Sequence, residues 1–170
     1  KEEIKCQKLI LNHSSGISTK KLRINKKNLT HLISPIKIKK SFYGDLKGII
    51  LKPNMILSGN KSKNKISNEE VAKLTLECLK NSVPSEVPGI AFLSGGQSEI
   101  EATENLNLIN KHNNTNFIMS YSYGRALQQS ALKFWSKNIK DLEGTQKVFN
   151  HRAKMNTLAA QEKWSKENEN

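Results

Sequence analysis

From about residue 42 onward, short and continuously apolar runs alternate with longer stretches that have helical periodicity. The apolar runs lie at about residues 46–52, 89–93 and 116–121. A run without polar alternation is typical of a strand that is buried on both faces, as in a parallel sheet covered by helices. Since a helical stretch follows each run, the pattern predicts three consecutive βα units.

Capping signals mark the beginnings of two of these helices. Ser67 with Glu70, and Ser98 with Glu101, have the spacing of a capping box, in which a serine and a glutamate each bond the other's backbone N–H. The first helix should end before Pro84. Two more helices are predicted at about residues 126–135 and 145–166. The core positions predicted on the first two helices are Val71, Leu74, Cys78, Leu79, Val83, Ile100, Thr103, Leu106, Leu108 and Ile109.

The composition fits a chain with one modest core. It has 170 residues, 36% of them hydrophobic, and no apolar run long enough to span a membrane. Cys6 and Cys78 match no metal-ligand spacing, and two cysteines so far apart favour a reducing compartment, so we predict a cytoplasmic location. Because the first residue is Lys1, we expect a processed product or a piece of a longer chain.

The net charge of +13 is concentrated at the start of the chain. Residues 1–40 hold 11 lysines and arginines against 2 acids, whereas residues 41–170 hold 17 against 13. We therefore divide the chain into a basic segment at 1–41, poorly ordered or inserted, and βα units at 42–170. Residues 20–40 contain no aromatic residue to stack a base, so nucleic-acid binding there is the less favoured alternative to a solvated segment.

Lys52 is the first candidate for chemistry. It follows the apolar run of the first predicted strand and precedes Pro53, so it should emerge at the carboxyl end of the strand, where α/β folds place their sites. A lysine among apolar walls or other cations can act as a nucleophilic amine and form a Schiff base with a ketone. The alternative is a lysine that reaches from the strand end to solvent.

The other two strand ends carry features that suit an anion. Ser94-Gly95-Gly96 lies between a strand and a helix, where bare backbone N–H groups and the helix dipole favour a phosphate. Glycines also serve close packing in such turns, and that alternative stays open. Arg125 begins a helix, where a cation opposes the dipole, so an anionic ligand explains it better.

Taken together, the strand ends and the residues around them resemble class I fructose-bisphosphate aldolases, over about residues 44–164. The segments that carry the resemblance are Leu51-Lys52-Pro53-Asn54-Met55, Val87-Pro88-Gly89-Ile90-Ala91-Phe92-Leu93-Ser94-Gly95-Gly96-Gln97-Ser98-Glu99, Ser122-Tyr123-Gly124-Arg125-Ala126-Leu127-Gln128, Ser130-Ala131-Leu132-Lys133 with Trp135, and Arg152-Ala153-Lys154 with Asn156, Leu158 and Ala159. The resemblance implies an α/β fold that is part of a TIM (β/α)₈ barrel, with about three C-terminal βα units and a C-terminal helix.

The resemblance also implies roles for individual residues. Lys52 would be the Schiff-base lysine in the reversible cleavage of fructose 1,6-bisphosphate, a reaction for which the resemblance implies no metal and no cofactor. The residues that the resemblance assigns to a substrate phosphate or its pocket are Ser94, Gly95, Gly96, Ser122, Gly124 and Arg125. A complete barrel would be expected to form a homo-oligomer, a tetramer in the family.

The sequence departs from the family in what it lacks. A (β/α)₈ barrel has eight strands and typically ~250 residues, and Lys47 and Ile49 replace a glutamate and a threonine usual before the lysine. We consider three interpretations: a partial aldolase that is inactive alone, a non-catalytic aldolase-derived subunit whose basic arm sits in an RNA-containing assembly, and a small module that keeps only a phosphate pocket. The first is favoured.

Overall fold

The computed structural model describes residues 3–5, 24–25, 45–59 and 61–170. Within this part of the chain no helix is long and apolar enough to cross a membrane. The elements in chain order are β1 (Glu3–Lys5), β2 (Ile24–Asn25), a 3₁₀ turn (Leu46–Gly48), β3 (Ile50–Leu51), β4 (Leu57–Ser58), α1 (Asn68–Ser82), β5 (Gly89–Phe92), α2 (Glu99–Lys111), β6 (Ile118–Tyr121), α3 (Arg125–Lys137), α4 (Leu142–Ala160) and a second 3₁₀ turn (Lys166–Glu169).

The centre of the fold is a parallel sheet with strand order β3-β5-β6. Each strand is followed by a helix before the next parallel strand begins, and α4 completes the chain of helices. The predicted α/β class, with three βα units and a C-terminal helix, is confirmed. The strands place their carboxyl ends at one edge of the sheet, which is the edge where the site is built.

The helix beginnings follow the predicted caps with one shift. The Ser67 and Ser98 hydroxyls accept the backbone N–H groups of Glu70 and Glu101 at 3.2 and 3.1 Å, and at Ser98 the reciprocal bond is also made. The last helix begins earlier than predicted, because the Asp141 carboxylate accepts the N–H of Gly144 at 2.8 Å and caps it there.

That last helix also ends earlier than predicted. Lys163 donates its N–H to the Leu158 carbonyl at 2.8 Å, and Glu162 donates to Ala159 at 3.2 Å, the two bonds of a Schellman motif. Glu162 takes the left-handed position of this motif, with φ at 64°. The helix therefore closes at Ala160 rather than continuing toward residue 166.

The first parallel strand is shorter than the predicted 46–52. The Asp45 carboxylate accepts the N–H of Lys47 at 3.0 Å and holds the chain in the 3₁₀ turn, so that only Ile50 and Leu51 pair with β5. The local side-chain bond thus replaces strand pairing over half of the apolar stretch.

Only one face of the parallel sheet is buried. Leu51, Ile90 and Met119 form one row across the strands and are no more than 3% exposed, since α1, α2 and α4 cover that face. In the adjacent row Ile50 is 71% and Ile118 75% exposed, on either side of Gly89. The prediction of strands buried on both faces is wrong for this row, because in the described part of the chain no helix packs over it.

The predicted helix cores are mostly confirmed. Val71, Leu79, Val83, Thr103, Leu106 and Ile109 are buried, and Leu74, Cys78 and Leu108 are half-buried. Ile100 is the exception, because it is 48% exposed in the first turn of α2. The helical periodicity did not predict four further positions that are buried: Ala72, Thr75, Leu76 and Ala102.

A second, antiparallel sheet was not predicted. It has the order β2-β1-β4, and its last strand, Leu57–Ser58, lies between the first predicted strand and the first predicted helix. Apart from β1 and β2, the segment at 1–41 lies outside the described residues, so its predicted disorder or insertion, and nucleic-acid binding through 20–40, stay predictions.

Candidate functional site

The carboxyl ends of the three parallel strands meet in one pocket of about 320 Å³. Because β3, β5 and β6 run in the same direction, the residues that follow them are brought to the same edge of the sheet. The lining residues are Lys52, Leu93, Ser94, Gly95, Ser122, Gly124 and Arg125. The pocket therefore contains two cationic side chains, two hydroxyls and exposed glycine backbone.

Lys52 enters the pocket directly after β3 and is half-buried. The residues after it are tied to the neighbouring strand end, since Leu93 donates its N–H to the Pro53 carbonyl at 2.9 Å and Asn54 forms a bridge with Leu93. Pro53 has no N–H to extend the ladder, which fits the end of regular pairing at Leu51. The lysine thus stands on a fixed backbone while its side chain faces the cavity.

The glycine-rich segment after β5 forms a tight turn. Gln97 donates its N–H to the Ser94 carbonyl at 3.2 Å, and Gly96 at the third position has φ at 84°, the value that a type II turn requires and that glycine adopts without strain. Ser94 is only 7% exposed. The Asn54 side-chain amide donates to the Gly95 carbonyl at 3.3 Å and links this turn to the Lys52 strand.

The third strand end leads into the N-terminus of α3. Gly124 is its N-cap and provides no side chain to bond the first-turn N–H groups, whereas α1, α2 and α4 are each capped by a serine or aspartate. Gly124 and Arg125 both line the pocket, and Arg125 is exposed. Free N–H groups, the positive helix end and a guanidinium together suit an anion such as phosphate.

Two contacts hold the first turns of α3 and the residue before Gly124 against α2. The Tyr123 hydroxyl donates to the Ala102 carbonyl at 2.9 Å, and burial, with Tyr121 nearby, raises the pKa of Tyr123 well above its usual value. On the next turns, the Glu99 carboxylate accepts the Ser130 N–H at 2.9 Å and also its hydroxyl. The strand end and the helix start are therefore held from both sides.

Of the site residues proposed from the sequence, only Gly96 does not line the pocket. Gly96 instead provides the positive φ that the turn requires. Sequence reasoning overlooked Leu93, which lines the pocket, and Asn54, which holds the turn. An asparagine just after a strand-ending proline is a signal that could have been used for Asn54. Among the described residues no group of histidine, cysteine and carboxylate side chains could hold a metal ion.

The comparisons with known proteins agree on one family. The family model for fructose-bisphosphate aldolase class I matches residues 19–170. The chain is 52% identical over 123 residues to fructose-bisphosphate aldolase 3, chloroplastic, from Arabidopsis thaliana, which covers 72% of this chain and 31% of that protein. It is 44% identical over 122 residues to fructose-bisphosphate aldolase from Dictyostelium discoideum, with 72% and 34% covered.

A solved structure gives the same result for the fold. Fructose-bisphosphate aldolase from Plasmodium falciparum, in a complex with TRAP and a small-molecule inhibitor, is 37% identical and superposes with a TM-score of 0.74. The match covers 81% of this chain and 40% of that one, which confirms the predicted partial barrel. The chain spans about a third of the length of the two curated relatives.

Proposed function

The chain belongs to the class I fructose-bisphosphate aldolase family, and we propose that it supplies the Schiff-base lysine and a phosphate site for the reversible cleavage of fructose 1,6-bisphosphate. The observation that supports this most directly is the shared pocket, in which Lys52 lies with Ser94, Gly95 and Arg125. A ketose phosphate needs both an amine for its carbonyl carbon and donors for its phosphate. These four residues offer both.

In the proposed reaction the Lys52 amine attacks C2 of the ketose and loses water to form an iminium. The C4 hydroxyl then gives up its proton to a base as the C3–C4 bond breaks. The electron pair of that bond passes to the iminium, and glyceraldehyde 3-phosphate is released. The resulting enamine takes up a proton and is hydrolysed, which frees dihydroxyacetone phosphate and restores the lysine.

The phosphate of the C1 end would be held by the other two strand ends. Backbone N–H groups around Gly95 and the Ser94 hydroxyl would donate to it from one side, and Arg125 with the α3 N-terminus from the other. Ser122 and Gly124 border the same space, and Gly96 would contribute through the shape of the turn. Holding the phosphate places C2 near the lysine and makes the attack effectively intramolecular.

Turnover by this chain alone should be low. Among the described residues that line the pocket there is no carboxylate or histidine to move protons during cleavage. A positioned general acid or base typically contributes 10²–10⁴-fold to such steps. We therefore propose that the chain forms the covalent adduct but cleaves fructose 1,6-bisphosphate only at a trace rate.

Borohydride trapping tests the lysine. Reduction in the presence of dihydroxyacetone phosphate, followed by peptide mass mapping, should place a stable adduct on Lys52 and leave Lys47, exposed in the preceding turn, unlabelled. Lys52→Arg keeps the charge but cannot form the adduct, and Lys47→Arg is the matched control that should label as the parent does. Labelling spread evenly over surface lysines would overturn the catalytic role.

Replacing Arg125 tests the phosphate site separately. Arg125→Ala should weaken binding of fructose 1,6-bisphosphate by ~1.5–3 kcal/mol, the range for a hydrogen bond to a charged group, measured by calorimetry. Lys133→Ala, which removes an exposed cation from the same helix, should change the affinity little. Equal affinities for Arg125→Ala and the parent would remove the arginine from the site.

Three finer features are part of the same proposal. We place the reaction in glycolysis and in the cytoplasm, although one similar protein is named as chloroplastic, so cell fractionation is the appropriate measurement. We also expect a homo-oligomer wherever the barrel is complete. Sedimentation velocity would test this by measuring the oligomeric state of the chain alone and of the chain mixed with an aldolase segment that contains the remaining strands.

A further inference from the structure

We infer that Asn54 is a positioning residue that sets the orientation of the Gly95–Gly96 peptide and thereby prepares the turn for an anion. The inference deepens the proposed function and rests on it for the identity of the ligand. It starts from one contact, in which the Asn54 Nδ2 donates to the Gly95 carbonyl at 3.3 Å.

The turn itself explains why this contact matters. Its central peptide joins Gly95 to Gly96, and type I and type II turns differ mainly by a half rotation of that peptide. Most residues would restrict the rotation, but two glycines allow either state. The φ of 84° at Gly96 shows that the structure holds the type II state.

A donor to the Gly95 carbonyl selects between the two states. Since C=O and N–H of a trans peptide point in opposite directions, fixing the carbonyl toward Asn54 also fixes where the Gly96 N–H points. Rotation of the peptide would take the Gly95 carbonyl away from Asn54 and change the backbone that Gly95, which lines the pocket, presents there. A carbonyl oxygen that faced the pocket would repel a phosphate.

The position of Asn54 is itself fixed by the sheet. Its backbone bridges to Leu93, and the Pro53 carbonyl accepts the Leu93 N–H at 2.9 Å, so the side chain can reach the turn without moving the strand. Asn54 also follows Lys52 by two residues. The same short segment therefore carries the proposed nucleophile and sets the geometry of the turn that would receive the phosphate.

A measurement without ligand tests the positioning directly. In ¹⁵N spectra of the ligand-free protein, Asn54→Ala and the isosteric Asn54→Asp, which keeps the shape but has no amide donor, should shift or broaden the Gly95 and Gly96 amides as the peptide exchanges between states. Asn110→Ala is the matched control, since Asn110 makes the same kind of bond, to the Leu106 carbonyl at 3.0 Å in α2, away from the pocket. Unchanged glycine amides in both Asn54 variants would overturn the inference.

A comparison of two ligands tests the consequence. Asn54→Ala should raise the dissociation constant for dihydroxyacetone phosphate by about 3- to 10-fold, the effect of losing one ordinary hydrogen bond. Borohydride-trapped adduct on Lys52 should fall with dihydroxyacetone phosphate but not with dihydroxyacetone, which has no phosphate. A general loss of structure would lower both yields, and that result would count against a positioning role.

The two outcomes of failure are distinct. If the parent protein binds no dihydroxyacetone phosphate, the proposed function is wrong, while the glycine amides still decide whether Asn54 orients the turn. If the parent binds it and the Asn54 variants bind equally well, the inference is wrong and the proposed function stands.

Discussion

Replacing Glu169 by glutamine should unfold the C-terminal part of the chain more easily, because this carboxylate partners a buried charge. The Arg152 side chain is 6% exposed, and the Glu169 side chain 13%. Arg152 donates through both terminal nitrogens to Glu169, at 3.0 Å for one of them, and also to the Thr103 hydroxyl at 2.7 Å. Trp164 donates its indole N–H to the same carboxylate at 2.8 Å.

The expected loss follows from what glutamine can replace. Glu169→Gln keeps one acceptor oxygen but replaces the other by an NH₂ group, which cannot accept a hydrogen bond from the guanidinium. The substitution also removes the negative charge, so the Arg152 charge is left without its counter-ion. Breaking a buried pair costs typically 3–5 kcal/mol, and the remaining acceptor and the partial exposure reduce this to about 2–3 kcal/mol. For a chain of this size, that corresponds to a fall in melting temperature of roughly 4–12 °C.

The pH dependence of this loss gives a sharper test. Burial raises the pKa of Glu169, but the hydrogen bonds from Arg152 and Trp164 and the charges of Arg152 and His151 outweigh it and hold the pKa below its ordinary value of 4.5. A carboxyl whose pKa is lower in the folded state stabilises the fold at pH values above its pKa in the unfolded state. This contribution disappears as the pH falls through its pKa in the folded state. The difference between parent and variant should therefore be complete near neutrality and shrink below about pH 4.5.

Urea denaturation at several pH values measures both effects. Glu167→Gln is the matched control, because it makes the same chemical change two residues away at an exposed side chain. We expect it to change the free energy of unfolding by less than ~0.5 kcal/mol. Equal effects of the two substitutions, or a Glu169 effect that persists undiminished in acid, would refute the assignment of stability to this ion pair.

Two further changes act through the backbone. Glu162→Gly should raise the free energy of unfolding by about 0.5–1 kcal/mol, because glycine removes the left-handed strain at φ 64° while adding some freedom to the unfolded chain; a lower urea midpoint would contradict this. Gly144→Ala should lower it by ~1–3 kcal/mol, since the added Cβ would lie 2.8 Å from the Phe134 ring and collide with the Asp141 carboxylate; the same urea curves measure it, and an unchanged midpoint would show that α4 can shift to make room.

The strand ends could be predicted from the sequence because they depend on local order. An apolar run, a polar residue at its end and a helix cap within a few positions place Lys52, Ser94 and Arg125 on one edge, whatever the rest of the chain does. The length of the first strand could not be predicted in this way. The Asp45 carboxylate competes with pairing to β5, and its bond to Lys47 has no periodic signal.

Contacts between segments that are distant in the chain could not be predicted from the sequence either. Periodicity does not show that Arg152 would be buried against Glu169, or that a strand at Leu57–Ser58 would pair with Lys5 and Ile4. Such contacts depend on which elements meet after the chain has folded. Asn54 belongs to the same group, because its importance arises only when the Gly95 carbonyl lies beside it.

We expect the exposed row that contains Ile50 and Ile118 to make the stability of this chain dependent on concentration. Both strands that carry these residues are at the edges of the parallel sheet, so the row and the unpaired edge groups can be covered only by another molecule or another segment. Anything that binds the folded state there stabilises it by mass action, by about 2.7 kcal/mol at a concentration 100 times its dissociation constant. Melting temperatures measured for this chain at different protein concentrations, or in the presence of other aldolase segments, therefore refer to different equilibria.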